Sequence, residues 1–275
     1  MKSTHKPGGD TADWIPLSTS ASFLFSNGIL LVWSLMLVVI TALLTWGGFF
    51  LTTELFDNLT SDFFSSKPVH ESFYGWVKYL GWVTSKYLFF FVSRIVAFFL
   101  AFLAAFSLSA PLYVFLSMAA EKRYCGDEYE ADAALTLKGI MIDLFEGIKI
   151  GLLGIFITIL ALMVSFIPLI GQLAVFFLYC FYCALMFLDY TTSRKRWSLS
   201  RKINWLQQHH TKAFKIGVIP ALISMIPILN LFLMALVFPL FTVHATLNFS
   251  QINRYSGMPS VQNKPISDSI RPDQP

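Results

Sequence analysis

The sequence predicts an all-α integral membrane protein: two long transmembrane helices plus two proline-broken helical hairpins that penetrate the bilayer only in part. Three observations predict it. The chain of 275 residues is 56% hydrophobic and 13% charged, with 28 phenylalanines and a mean hydropathy of +0.63. An average soluble domain is about 45–50% apolar and about 25% charged. The charges also fall in clusters that leave four long apolar runs, and two of those runs break at the same Ser-x-Ile-Pro. There is too little polar side chain to cover a soluble globule of this length. That excludes an ordinary cytosolic enzyme, a disordered chain and a nucleic-acid binder of the usual kind.

The N-terminal segment carries Lys2, Lys6, Asp10 and Asp13. It reads as a cytoplasmic tail over residues 1–22, ahead of a single helical membrane domain over 23–253. The apolar run that follows is longer than a signal-peptide core of about 7–15 residues, so the first membrane segment is expected to stay. No Asp, Glu, Lys or Arg occurs between Asp13 and Glu54. Within that run, residues 29–51 span the roughly 30 Å hydrocarbon core at about 1.5 Å per residue. Residues 54–86 mix Glu54, Asp57, Asp62 and Glu71 with Lys67, Lys78 and Lys86, and add Tyr74, Trp76, Tyr79 and Trp82. That mixture predicts an interfacial segment with an aromatic belt.

The second helix is expected over about 87–120. It is long for one crossing, so it should tilt or project beyond the bilayer, with Pro111 a possible kink. Ala97, Ala101 and Ala105 recur every four residues, a face suited to close helix packing. The third and fourth runs, 150–188 and 216–253, resemble each other. One holds Ser165-Phe166-Ile167-Pro168, followed by Leu169, Ile170 and Gly171. The other holds Ser224-Met225-Ile226-Pro227, followed by Ile228, Leu229 and Asn230. Proline removes a helix donor and disfavours helix at the residue before it, and Gly and Asn tolerate turn conformations. Each run therefore predicts a hairpin, about 150–188 and 216–249, with tips at Pro168, Gly171, Pro227 and Asn230. The arm over 216–226 is about 16 Å long as a helix, too short to cross, and Pro239 interrupts its return arm. Ordinary crossing pairs are the alternative. Gly147, Gly151 and Gly154 read as a packing face.

The connector over 189–215 carries Arg194, Lys195, Arg196, Arg201, Lys202, Lys212 and Lys215 against Asp189 alone. The positive-inside rule puts it in the cytoplasm, with both termini on the same side. It can collect anions or anionic headgroups, although plain topogenic charge explains it too. Residues 254–275 read as a disordered C-terminal tail.

Chemistry-bearing motifs are sparse. Cys180 and Cys183 form a C-x-x-C within an apolar run, where burial keeps thiols neutral, so they read as small packing residues. Cys125 is a lone thiol. His209 and His210 point about 100° apart on a helix, which does not suit a shared metal. No H-E-x-x-H, G-x-S-x-G or P-loop occurs, so neither an enzyme nor a cofactor is expected. In the last run Thr242 and Thr246 share one helix face, and His244 and Asn248 another. Intramembrane polar groups line pathways or bond neighbouring helices.

The order of several short pieces resembles a family. Ile167-Pro168 with Gly171, Asp189-Tyr190, Phe214, Gly217, Ile226-Pro227 with Asn230, Pro239 and Ala245-Thr246 lie over 166–247. Ser109-Ala110-Pro111 followed by Glu121 adds to them. Together they are similar to the CysZ-like sulfate permeases, which share a domain with the eukaryotic etoposide-induced membrane proteins. The resemblance implies two long helices, two partly penetrating hairpins, and an oligomeric protein of the bacterial inner membrane. It also implies sulfate permeation without ATP hydrolysis. The permeases carry Gly-Leu-Arg where their first long helix begins. Here Asn27-Gly28-Ile29-Leu30 stands, with no arginine between Asp13 and Arg94. A dianion at low dielectric needs fixed charge or many donors. Here those donors are expected from the amides near Gly28, with Ser26 and Asn27. The expected function is a permease or channel-like protein for a small inorganic anion, sulfate in the first place. Its expected lining is Ser26, Asn27, Gly28, Asn230, Thr242 and Thr246. Its expected partners are the lipid bilayer, the anion and further copies of itself. The alternative is a non-transporting scaffold or quality-control protein of the same fold.

Overall fold

Helix follows the apolar runs and continues well past them. The computed structural model describes residues 14–68, 72–129 and 137–256, and the regular elements among them are all helical. In chain order they are α1 (Leu17–Ser26), α2 (Gly28–Ser65), α3 (Phe73–Cys125), α4 (Leu137–Val164), α5 (Ile170–Thr192), α6 (Leu199–Gln208), α7 (His210–Ser224) and α8 (Pro227–Ser256). The expected N-terminal tail is thus helical from Leu17. Of the expected C-terminal tail, residues 254–256 close α8, and 257–275 lie outside the described residues, as do 1–13.

Helices α2 and α3 form the longest pairing, an antiparallel hairpin. The buried face of α3 runs Ser93, Ala97, Ala101, Ala105, Ser109 at four-residue spacing. These small side chains admit α2 closely. A methyl on Gly48 would stand 3.1 Å from the Ala101 side chain, and the Thr41 hydroxyl donates to Ser109 at 3.2 Å. The segment 54–86, expected as interfacial, forms the far half of this hairpin. Helix α2 runs on to Ser65, and α3 starts at Phe73, capped by the Ser72 hydroxyl accepting from Gly75 N at 3.1 Å. The arms support each other through Asp57 and Arg94, joined by two hydrogen bonds of 2.7 Å, and through Phe64 against Phe89 at 5.5 Å. Helix α3 passes through Pro111 and stops at Gly126, whose φ of 57° few other residues adopt. Lys122 and Arg123 in its last turn suit the negative helix end.

Helices α5, α7 and α8 pack beside this pair, with α4 at the periphery. The core centres on Phe238, whose ring lies 4.7 Å from both Tyr113 and Phe187. Trp197 and Trp205 close it at one end, each 5.3 Å from Phe249. Cys180 and Cys183 are buried against Ala221 of α7, both free thiols. Pro239, expected to interrupt the last arm, does not: α8 continues through it. The packing of α8 supplies what the missing donor removes.

Among the described residues, five helices are long and apolar enough to cross a membrane: Gly28–Ser65, Phe73–Cys125, Phe145–Val164, Ile170–Thr192 and Leu233–Arg254. The 15 residues of α7 reach about 22 Å, short of a hydrocarbon core of about 30 Å. The ends of α3, α5 and α8 and the starts of α2 and α7 share one pole, together with α6. That pole holds the basic connector.

Candidate functional site

At the basic pole, α1 turns into α2 through Asn27, whose backbone is extended (φ −103°, ψ 98°). Its amide nitrogen donates to Phe23 O at 2.6 Å, and its side-chain oxygen accepts from Arg123 Nε at 2.9 Å. Arg123 comes from the last turn of α3, 96 residues away. The Ser26 hydroxyl, exposed, donates to Phe23 O at 3.2 Å. No side chain caps α2, and Leu31 N is the first amide bonded back, to Asn27 O at 3.0 Å. The amides of the opening turn therefore face outward as donors. Gly28 is exposed, with open space where a side chain would be. Arg254 lies on the same rim, over the Tyr124 ring at 6.0 Å and donating to Cys125 O at 3.4 Å. This is an open, positively charged mouth at a helix start, an arrangement that attracts anions.

Deeper in the same end, three hydroxyls form a closed triangle. Ser117 of α3, Thr191 of α5 and Thr246 of α8 stand 2.9–3.0 Å apart and are fully buried. Thr246 also donates to Thr242 O at 2.8 Å, and Thr242 to Phe238 O at 3.0 Å. Arg194 reaches down to Ser117 at 3.3 Å and pairs with Glu121, which also meets Lys195 at 3.2 Å. Glu121 and Arg194 are 4% and 6% exposed, so their charges compensate each other away from water.

The other face of α8 holds α1. Asn248 accepts from Ile15 N at 3.0 Å and donates to Ile15 O at 3.1 Å. His244 meets the Ser20 hydroxyl at 2.8 Å, and its ring stands edge-on to Trp14. These bonds fix the segment that leads into α1 and α1 itself, and through them the position of Asn27.

The hairpin tips lie at the other ends of their helices. Between α4 and α5 the turn passes through Pro168 and Leu169, the latter at φ 63°. A methyl on Gly171 would stand 2.1 Å from Val164 O, so only glycine lets α5 start this close to α4. Between α7 and α8 the turn is just Met225 and Ile226; Pro227 opens α8, and Asn230 falls within its first turn.

The six residues expected to line a path therefore stand in three places. Ser26, Asn27 and Gly28 come together, Thr242 and Thr246 are enclosed between helices, and Asn230 is about 24 Å along α8 from Thr246. Sequence reasoning missed Arg123, and it named Arg194 and Glu121 without pairing them. For Arg123 the usable signal was its place in the basic last turn of a helix returning to the pole where α2 begins.

A family profile described as "Sulfate transporter CysZ/Etoposide-induced protein 2.4" matches residues 17–235. None of the curated proteins matches the chain.

Proposed function

The chain belongs to the sulfate transporter CysZ/etoposide-induced protein 2.4 family, and on that premise we propose that it is a permease or channel-like protein for a small inorganic anion, with sulfate as the substrate. The observation that carries the reading is Arg123 on Asn27. The linear sequence lacks an arginine at the start of the first long helix, and the fold supplies one from the end of α3. Its Nε engages one of five guanidinium donors. That bond orients the group and leaves the Nη atoms for a tetrahedral oxyanion. Ser26, Asn27 and the amides from Gly28 onward complete the donor set, with Arg254 raising the local potential. The basic pole is cytoplasmic by the positive-inside rule, which puts both termini on the cytoplasmic side; a bacterial inner membrane and an assembly of several copies are what the family resemblance implies.

The test is uptake of radiolabelled sulfate into liposomes holding the purified protein. Losing a hydrogen bond to a charged group slows uptake about tenfold or more in Arg123→Gln, with partial recovery in Arg123→Lys. Wild-type rates in Arg123→Gln would detach the arginine from the path.

A second reading is favoured by Thr242 and Thr246, whose hydroxyls are fully enclosed and bonded within the protein. In a non-transporting scaffold they simply pin α8 to α3 and α5. Absence of uptake above empty vesicles by well-folded wild-type protein selects that reading. We also propose that the α7–α8 hairpin enters and leaves on the cytoplasmic side, because α7 is too short to cross. A cysteine at Ile226 is expected to resist a membrane-impermeant maleimide from the outer face; ready labelling there means that the tip crosses.

A further inference from the structure

We propose that the groove between the far halves of α2 and α3 binds the headgroup of an anionic phospholipid. The groove encloses about 720 Å³, at the pole opposite the Arg123 mouth. It is lined by residues on which the anion reading above does not draw.

Its position indicates a lipid. The uncharged runs of α2 and α3 end together, at Glu54 and Asp57 on one helix and Arg94 on the other. Charges of this kind mark the edge of the hydrocarbon, and the groove lies directly beyond them. Phe63, Tyr87 and Phe91 at this level are 74%, 71% and 65% exposed, as side chains facing acyl chains and headgroups would be.

Its chemistry indicates an anion. Two ammonium groups overhang it: Lys67 Nζ lies 5.2 Å from the Tyr79 ring centre, and Lys86 Nζ 5.1 Å from that of Trp82. The rings hold the cations by their π faces and leave the ammonium protons to a ligand. Asp57 also lines the groove, but its carboxylate is doubly bonded to Arg94. Those two charges cancel, which leaves the two lysines as the net charge of the lining. Trp82 also lines the groove, and its Nε1 is shielded from solvent and has no hydrogen-bond partner. A buried donor is normally satisfied, and a turn of this ring that brings its edge to the groove would let a phosphate oxygen between the lysines satisfy this one. Phe64, Val83 and Phe90 form an apolar wall that suits the glycerol and upper acyl carbons and offers a soluble anion nothing.

Native mass spectrometry of the full-length protein in detergent tests this, with phosphatidylglycerol and phosphatidylcholine of equal chain length and with inorganic phosphate as probes. Wild-type protein is expected to retain phosphatidylglycerol about 30-fold more strongly than phosphatidylcholine, each lysine contributing about fivefold. The K67Q/K86Q variant is expected to lose that preference. Trp82→Phe, which keeps the ring and removes the donor, is expected to weaken it several-fold. K212Q/K215Q at the basic pole serves as the control and is expected to keep the preference. None of the four lysines belongs to the buried core, so the variants are expected to fold, which their elution as a single species in detergent checks. Equal retention of the two lipids by wild-type protein overturns the proposal, as does an unchanged preference in K67Q/K86Q. It is also overturned if K212Q/K215Q lowers the preference as much, or if millimolar inorganic phosphate displaces the lipid.

Discussion

The hairpins α4–α5 and α7–α8 start from the same Ser-x-Ile-Pro break and end in different surroundings. In the apolar stretches of α4 and α5 only 22% and 33% of residues are buried, against 72% in α8. The break itself sets only where the chain turns. What decides the burial is where small residues let backbones approach. On α7, Gly217 sits against the backbone of α5, so that a methyl would stand 1.7 Å from Cys180 O. On α4, Gly147 and Gly151 face open space, and Gly154 alone of that trio meets a neighbour, the ring of Tyr182. One hairpin is therefore pressed into the core, and the other keeps a face for lipid.

The largest expected effect lies just past the end of α5, at the buried ion pair between Arg194 and Glu121. Arg194→Ala leaves the buried Glu121 carboxylate with Lys195 alone. Breaking a buried pair costs about 3–5 kcal/mol; the lower end is expected, because Lys195 stays. Denaturant unfolding in detergent measures it, and a loss below about 1 kcal/mol would mean that the pair is open to water. Next comes Gly217→Ala. The added methyl meets rigid backbone, so a loss of about 2–3 kcal/mol is expected, read in the same assay. Gly151→Ala, its counterpart on the outer hairpin, should stay within about 0.5 kcal/mol. If the two glycines respond alike, the contrast between the hairpins fails. Between the two glycines falls Gly154→Ala. Its methyl would fall 2.2 Å from the Tyr182 hydroxyl, the far end of a movable side chain. A loss of about 1 kcal/mol or less is expected, with the shift visible in tyrosine fluorescence.

Much of this was legible in the sequence, for stated physical reasons. Uncharged runs locate helices in lipid because charge is costly there, and the Ile-Pro breaks locate the turns because proline withholds a donor. That α2 and α3 run on as helix through 54–65 and 73–86 was not legible, because acidic residues and aromatics suit an interface whether or not it is helical. What decides it is the mutual support of Asp57 with Arg94 and Phe64 with Phe89, which no local pattern contains. Asn230 was read as a turn residue because asparagine tolerates such conformations, but Pro227 is a good first helical residue, so the helix is under way by then. Arg123 stayed hidden for a different reason. Its partner Asn27 is 96 residues away, and only the closure of the α2–α3 hairpin brings the two together.

Helix α3 has a mechanical consequence. Its 53 residues run unbroken from Phe73 to Cys125, a rod of about 80 Å through an apolar layer of about 30 Å. Such a rod is a lever. A rotation of about 5° about its midpoint displaces either end by about 3.5 Å, more than the length of a hydrogen bond. Lys86 and Arg123 ride on the same beam, so the tilt imposed at one surface of the membrane is registered at the other.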